Sequence, residues 1–403
     1  MKSNLEDLVQ ITENKSNVYK VEELVGVCKR IKNSKRDFLF VNKYQGKHFP
    51  QKPSNILMLL DEFVENIKIN DEKILVIGFA ETATAIGNYV SVKIPGCIYE
   101  MQTTREKIEG VEPIIEFKEE HSHATEQLLY GNKDIFSLVD RVLFVEDEIT
   151  TGKTIINFIN EIKKINSNLK YAVASILNWQ TEEHSKIYKE YGIETFYLIK
   201  GKIKDINAKI EVNTLEEVNI SDNTNNCIKN YEIKSELCNL EKNRTGRVPI
   251  KDIDFYSDYI FEKIKGNSKM LKEICASSNQ NILVIGTEEF MYEPLLFANY
   301  LEKNTNNNVF YHATTRSPIE VSEDEGYILN RRYRFSSCYE ENRTTYLYNI
   351  KKYDKVLIIT DSKATEKFVK CMSDIFSNLA YDLNNIEIIK LGGYNGISSW
   401  NKL

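Results

Sequence analysis

The 403-residue chain is poor in glycine and proline, with 17 and 7, which excludes collagen-like, linker-dominated and largely disordered chains. Its longest apolar runs, such as Val142–Val145 and Val356–Ile359, fall far short of the roughly 20 residues a membrane-spanning helix needs. The opening residues, MKSNLEDLVQITENKSN, hold no apolar signal-peptide core, so a cytoplasmic location is expected. The seven cysteines are scattered, odd in number and without a CxxC, so neither a zinc site nor a disulfide framework is signalled. Nor is positive charge in excess. Lys plus Arg number 53 against 59 Asp plus Glu, a net charge of −6 that argues against nucleic-acid and membrane partners.

What remains is an ordinary globular composition, 42% hydrophobic and 28% charged, long enough for two or three domains of about 100–200 residues. Three blocks recur in the same order. KILVIGFAETATAIG (Lys73–Gly87) is echoed by NILVIGTEEFMYEPL (Asn281–Leu295), matching Gly78 to Gly286. EMQTTREKIEG (Glu100–Gly110) is echoed by HATTRSPIEV (His312–Val321), matching Arg105 to Arg316. DRVLFVEDEITTGKT (Asp140–Thr154) is echoed by DKVLIITDSKATEKF (Asp354–Phe368), matching Asp147 to Asp361. A slowly drifting offset between the blocks is the mark of a duplication.

The runs ILVIG, VLFVE and VLIIT are short, β-branched and unalternating, as buried parallel strands are. Helical periodicity precedes the first strand of each copy, at Ser54–Asn66 and Ile253–Ile264, and follows the later strands at Thr154–Ile165 and Thr365–Ser377. Alternating strands and helices predict an α/β fold of two tandem doubly wound parallel-sheet domains. The expected division is residues 1–206, an Asn-rich linker or extension over 207–244, and 245–403.

The strongest chemical signal is VLFVEDEITTGKT, Val142–Thr154. A buried strand ends in Glu146 and Asp147, and a small-residue loop then opens a helix. Backbone N–H groups at such a helix start, with threonine hydroxyls beside them, cradle a phosphate monoester. Ionised carboxylates at the strand tip accept hydrogen bonds from a vicinal diol. Together they describe a ribose 5-phosphate. A P-loop is excluded, because position 147 is Asp where that pattern needs Gly. A helix start capped by Thr150 or Thr151 fits the same residues.

Val142–Thr154 resembles the phosphoribosyl-diphosphate signature of type I phosphoribosyltransferases, with Glu146-Asp147 in place of the more usual two aspartates. The resemblance implies that Glu146 and Asp147 hold the ribose hydroxyls. It gives the 5-phosphate to Glu148, Ile149, Thr150, Thr151, Gly152, Lys153 and Thr154. Gly78, Phe79, Ala80, Glu81, Thr82, Ala83 and Thr84 then stand where that family places its diphosphate loop. The polar segment Met101–Tyr130 takes the place of the flexible catalytic hood. FLFVNKYQGKHFPQKP (Phe38–Pro53), MQTTRE, EEHSHA and the literal Thr315-Arg316-Ser317-Pro318 resemble more narrowly the phosphoribosyltransferases with a C-terminal TRSP module, encoded near tellurium-resistance genes in bacteria. On this reading the second domain is a degenerate copy: Thr360 replaces Glu146, and Glu366 replaces Gly152.

Arg105, His121 and His123 are candidates for stabilising diphosphate or moving a proton. Lys43, Lys47, His48 and Arg316 are candidates for binding anions. The resemblance implies Mg²⁺ carried by the substrate, with Asp147 as a protein contact, and phosphoribosyl diphosphate plus an unidentified nitrogenous acceptor as ligands. A homodimer is the expected assembly. Two alternatives stay open: a regulator that binds the donor without turning it over, and an enzyme that strips phosphoribose from a nucleotide.

Overall fold

The computed structural model describes residues 4–31, 36–108, 111–118, 126–220, 228–233, 261–262, 265–266, 268–379 and 382–391. The first half holds α1 (Leu5–Leu8), β1 (Val9–Asn14), α2 (Val21–Leu24), β2 (Val25–Lys29), β3 (Phe38–Asn42), α3 (Pro53–Glu65), β4 (Ile74–Gly78) and α4 (Thr84–Lys93). It continues with β5 (Cys97–Thr104), β6 (Ile115–Lys118), β7 (Glu126–Leu129), β8 (Arg141–Ile149), α5 (Lys153–Lys163), β9 (Lys170–Asn178), α6 (Glu182–Glu190) and β10 (Ile193–Ile203). Eight strands form one sheet in the order β1-β10-β9-β8-β4-β5-β7-β6.

The central strands are parallel and buried, as their unalternating apolar sequences predict. The expectation of a wholly parallel sheet needs correction at both edges. β1 runs antiparallel to β10, while β7 runs antiparallel to both β5 and β6. The cause lies in the connections: the expected hood segment folds back as a ladder instead of crossing over through a helix.

The second half contains β11 (Val218–Asn219), β12 (Lys229–Ile233), α7 (Lys269–Ala276), β13 (Ser278–Gly286), α8 (Tyr292–Asn304), β14 (Asn306–Ala313), β15 (Arg332–Ser336) and β16 (Thr344–Tyr348). β17 (Lys355–Thr360), α9 (Glu366–Asn378) and β18 (Ile386–Leu391) complete it. Its five-stranded sheet, β12-β18-β17-β13-β14, is parallel throughout. The Asn-rich extension contributes strands to this half, β12 to the five-stranded sheet and β11 to a small sheet with β15 and β16. The helix expected over 253–264 lies outside the described residues, apart from helical Phe261 and Glu262. Among the described residues no helix is long and apolar enough to cross a membrane.

The duplication is written into the strand registers. Gly78 pairs with Gln102 and Val145, and Gly286 pairs with Ala313 and Ile359. These pairings set Arg105 equivalent to Arg316 and Asp147 to Asp361, as the sequence blocks do. The strand entries match as well: Lys73 N–H donates to Asp140 Oδ2 at 2.8 Å, and Asn281 N–H to Asp354 Oδ2 at 2.7 Å. One apolar core runs from Ile56, Leu59 and Ile86 in the first half to Leu295 and Phe297 in the second.

The backbones of β4 and α4 approach closely. A Cβ on Gly87 would stand 2.8 Å from the Gly78 Cα and 3.2 Å from its nitrogen, so strand and helix must part to admit one. Gly87→Ala is expected to cost about 1–3 kcal/mol in denaturant unfolding, as overpacking does; an unchanged midpoint would contradict the close packing.

Candidate functional site

β4 and β8 are adjacent, and their onward connections leave on opposite sides of the sheet. Their C-terminal ends therefore flank the crevice where open α/β sheets place ligands. From β4 the chain turns through Phe79–Ala83 into α4, with Phe79 N–H donating to Val145 O at 3.1 Å and Ala83 N–H to Phe79 O at 3.0 Å. The Ala80–Glu81 peptide bond is cis. From β8 the chain passes through Thr150, Thr151 and Gly152 into α5. Gly152 sits at φ +72°, and a Cβ there would collide with the Tyr188 hydroxyl, which donates to Gly152 O at 3.1 Å. Gly152 holds the N-cap position of α5, and the Thr151 hydroxyl accepts the Lys153 N–H at 3.4 Å, so neither threonine is the N-cap residue itself.

The two loops come together at Asp147, where the Thr82 side chain lies beside the carboxylate. Burial, and then the neighbouring charge of Glu148, push the Asp147 pKa up to about 6, against hydrogen bonds from Thr82 and backbone N–H groups. Glu148 is paired with Arg36 at 2.8 Å, so an N-terminal residue closes one side of the loop. Sequence reasoning missed both Arg36 and Tyr188. Each sits in an unremarkable segment and reaches the loop only through the fold.

In the second copy the counterpart groups already have partners within the chain. The Tyr339 hydroxyl donates to Asp361 Oδ1 at 2.7 Å, and Thr365 Oγ1 caps α9 by accepting the Phe368 N–H at 3.1 Å. Glu366, the counterpart of Gly152, is exposed. The second copy thus has a side-chain N-cap where the first has Gly152.

In the 78–84 loop, Glu81 is buried and paired with Lys47 Nζ at 2.5 Å and Arg316 Nε at 2.7 Å. Burial raises the Glu81 pKa, yet these two cations hold it well below the ordinary carboxylate range. Lys47 and Arg316 thus do not face an external anion. Lys47 is fully buried, and Arg316 also pairs with Glu106, Glu288 and Glu289. The other arginines around TTRSP are also engaged, Arg332 and Arg334 with Glu217 and Arg343 with Glu106 and Glu288.

His48 is buried, and burial followed by the charge of Lys47 lowers its pKa to about 3, so it is neutral and no anion binder at physiological pH. Lys43 donates to Glu22 O at 2.7 Å, away from the crevice. Arg105 is half-buried; its backbone N–H donates to Glu289 Oε1 at 3.2 Å, while its Nε has no partner among the described residues. His121 and His123 lie outside the described residues. Glu289 was legible in principle, since it stands as far beyond Gly286 as Glu81 does beyond Gly78.

A narrow crevice also lies between the halves, lined by Gln102, Glu106, Glu288, Glu289, Tyr339 and Asp361 among others, and so it reaches the strand ends of the second copy. Its acidic lining does not suit a phosphate-rich ligand, unlike the cradle at 150–154.

A family model described as a phosphoribosyl transferase matches residues 24–202, and one described as the TRSP domain C-terminal to it matches residues 246–376. The chain belongs to the phosphoribosyltransferase family with a C-terminal TRSP domain. A hypoxanthine/guanine phosphoribosyltransferase of Methanothermus fervidus is 31% identical over 90 residues, covering 20% of this chain and 47% of that protein. The match thus spans about half of that curated relative. Among solved structures, the adenine phosphoribosyl transferase of Trypanosoma brucei aligns at 14% identity and a TM-score of 0.33, over 47% of this chain and 86% of that one. The orotate phosphoribosyltransferase of Aeropyrum pernix aligns at 12% identity and 0.23, over 36% and 71%. The α/β assignment stands on the strand order itself.

The raised pKa of Asp147 has a consequence for stability. The fold disfavours its ionised form, a penalty absent below the ordinary Asp value of about 4 and full above about pH 6. Asp147→Asn should melt at a higher temperature than the unaltered protein at about pH 8, and the gap should close as pH falls through 6 towards 4. A gap that widens on acidification would contradict the buried, ionisable Asp147.

Proposed function

We propose that the first half transfers the 5-phosphoribosyl group from phosphoribosyl diphosphate to a nitrogenous, nucleobase-like acceptor, releasing diphosphate. The reading is carried by the meeting of two loops at one crevice: the 150–154 turn, which opens α5 at a left-handed Gly152, and the 78–84 loop, whose Thr82 lies beside Asp147. The amides of residues 151–154 and the positive end of α5 receive the 5-phosphate. Glu146 and Asp147 accept the ribose hydroxyls. The backbone of 78–84 and the Arg105 guanidinium receive the diphosphate, Arg105 through paired donors that match phosphate oxygens.

Among the described residues no three His, Cys, Asp or Glu side chains gather as a metal cage. Such a donor set suits Mg²⁺ that arrives on the diphosphate, keeps most of its waters and takes at most Glu146 or Asp147 from the chain. When bound, the ion neutralises charge on the departing diphosphate. As the bond to C1 breaks, positive charge develops on the ribose, and the carboxylates of Glu146 and Asp147 stabilise it electrostatically.

Isothermal calorimetry tests the donor site. Phosphoribosyl diphosphate should bind only with Mg²⁺ present, and Glu146→Gln and Asp147→Asn should each weaken it by about tenfold or more, the scale of a lost charge-assisted contact. Absence of Mg²⁺-dependent binding would overturn the reading. Pyrophosphate release across a panel of nucleobases then separates a transferase from a protein that only binds the donor.

A further inference from the structure

The contacts between the two halves are reciprocal. Arg316 is the counterpart of Arg105, and Glu289 the counterpart of Glu81. The Arg316 backbone N–H donates to Glu81 Oε1 at 3.2 Å; the Arg105 backbone N–H donates to Glu289 Oε1 at 3.2 Å. The supports within each copy match too. Ala80 N–H donates to Thr103 Oγ1 and Glu288 N–H to Thr314 Oγ1, each at 2.9 Å. Glu106 N–H donates to Thr104 Oγ1 at 3.0 Å, and Ser317 N–H to Thr315 Oγ1 at 3.1 Å. The equivalent helices α4 and α8 pack against each other. A surface on which one copy's arginine meets the other's glutamate, and the converse, is isologous, the geometry of a twofold dimer.

We infer that the TRSP domain is an internal partner subunit, docked on the first domain through a pseudo-twofold, and that its Arg316 is a positioning residue holding Glu81 and the 78–84 loop in their ligand-receiving form. The pairing is symmetric in the backbone and asymmetric in the charges. The Arg316 side chain is surrounded by Glu81, Glu106, Glu288 and Glu289, whereas the Arg105 Nε has no partner among the described residues. The second copy's arginine is committed to the interface, and the first copy's is left to a ligand. The docking half of this inference is independent of the proposed transferase activity; the ligand-receiving half rests on it.

Hydrogen–deuterium exchange on the full chain tests both halves. In Arg316→Ala, amides of residues 79–84 should exchange about tenfold faster, while those of 150–156 keep the rate of the unaltered protein. Arg316→Lys, which keeps the charge but loses the fork, should fall between. Glu289→Gln should speed exchange over 104–106, the reciprocal arm. With Mg²⁺ present, Arg316→Ala should weaken inorganic pyrophosphate by about tenfold and leave ribose 5-phosphate unchanged. Unchanged exchange at 79–84, or a uniform rise along the whole first domain, would overturn the positioning role. Unchanged exchange at 104–106 in Glu289→Gln would overturn the reciprocal docking. If the unaltered protein binds neither pyrophosphate nor ribose 5-phosphate, the donor site and the ligand-receiving role fail, while the exchange data still decide the docking.

Discussion

The arrangement depends on one buried charge network at the junction of the halves. Lys47, Arg316 and Arg343 face Glu81, Glu106, Glu288 and Glu289 with little solvent between them. Carboxylates outnumber cations, and Glu288 bears the imbalance. Burial pushes its pKa up to about 7, against the pull of Arg316 and Arg343 and with the charge of Glu81 adding to the rise. Removing one of its cations leaves a buried carboxylate without its partner, which loosens the segment that carries it. The turn at 43–48, the loop at 78–84, the end of β5 and the TRSP string are therefore fixed together or not at all. Coupling of this kind ties the second domain to the 78–84 loop of the first.

The two copies show how one backbone plan is kept for structure and for ligand binding. Strand registers, the β-strand entry at Asp140 and Asp354, and the supports under each loop are retained. The differences are concentrated at the strand ends. In the first copy, a left-handed Gly152 opens α5 with the Thr151 hydroxyl on the Lys153 N–H, and Thr82 lies beside the carboxylate tip. In the second, Thr365 satisfies the helix start and Tyr339 occupies Asp361. A cradle whose donors already have internal partners offers a phosphate little.

Much of this was legible in the sequence because it is local. The parallel core strands announce themselves by unbroken β-branched runs, the cradle by acids followed by TTGKT, and the duplication by three blocks in order. The antiparallel edges were not legible, since nothing in Met101–Tyr130 or the N-terminal strand fixes strand direction without a partner. Lys47 and Arg316 looked like anion binders for a similar reason. A lysine in KYQGKHF reads as a surface residue, and only the fold brings it to Glu81 and to an arginine from the other half. Arg36 and Tyr188 border the cradle from segments with no motif, so their place is set by tertiary packing alone.

The most direct test of the account is a crystal structure of the full chain with ribose 5-phosphate. The account predicts the phosphate against the amides of 151–154, the sugar hydroxyls on Glu146 and Asp147, and Glu81 still held by Lys47 and Arg316. A sugar phosphate seated beside Tyr339 and Asp361 in the second domain, with the 150–154 cradle empty, would contradict it.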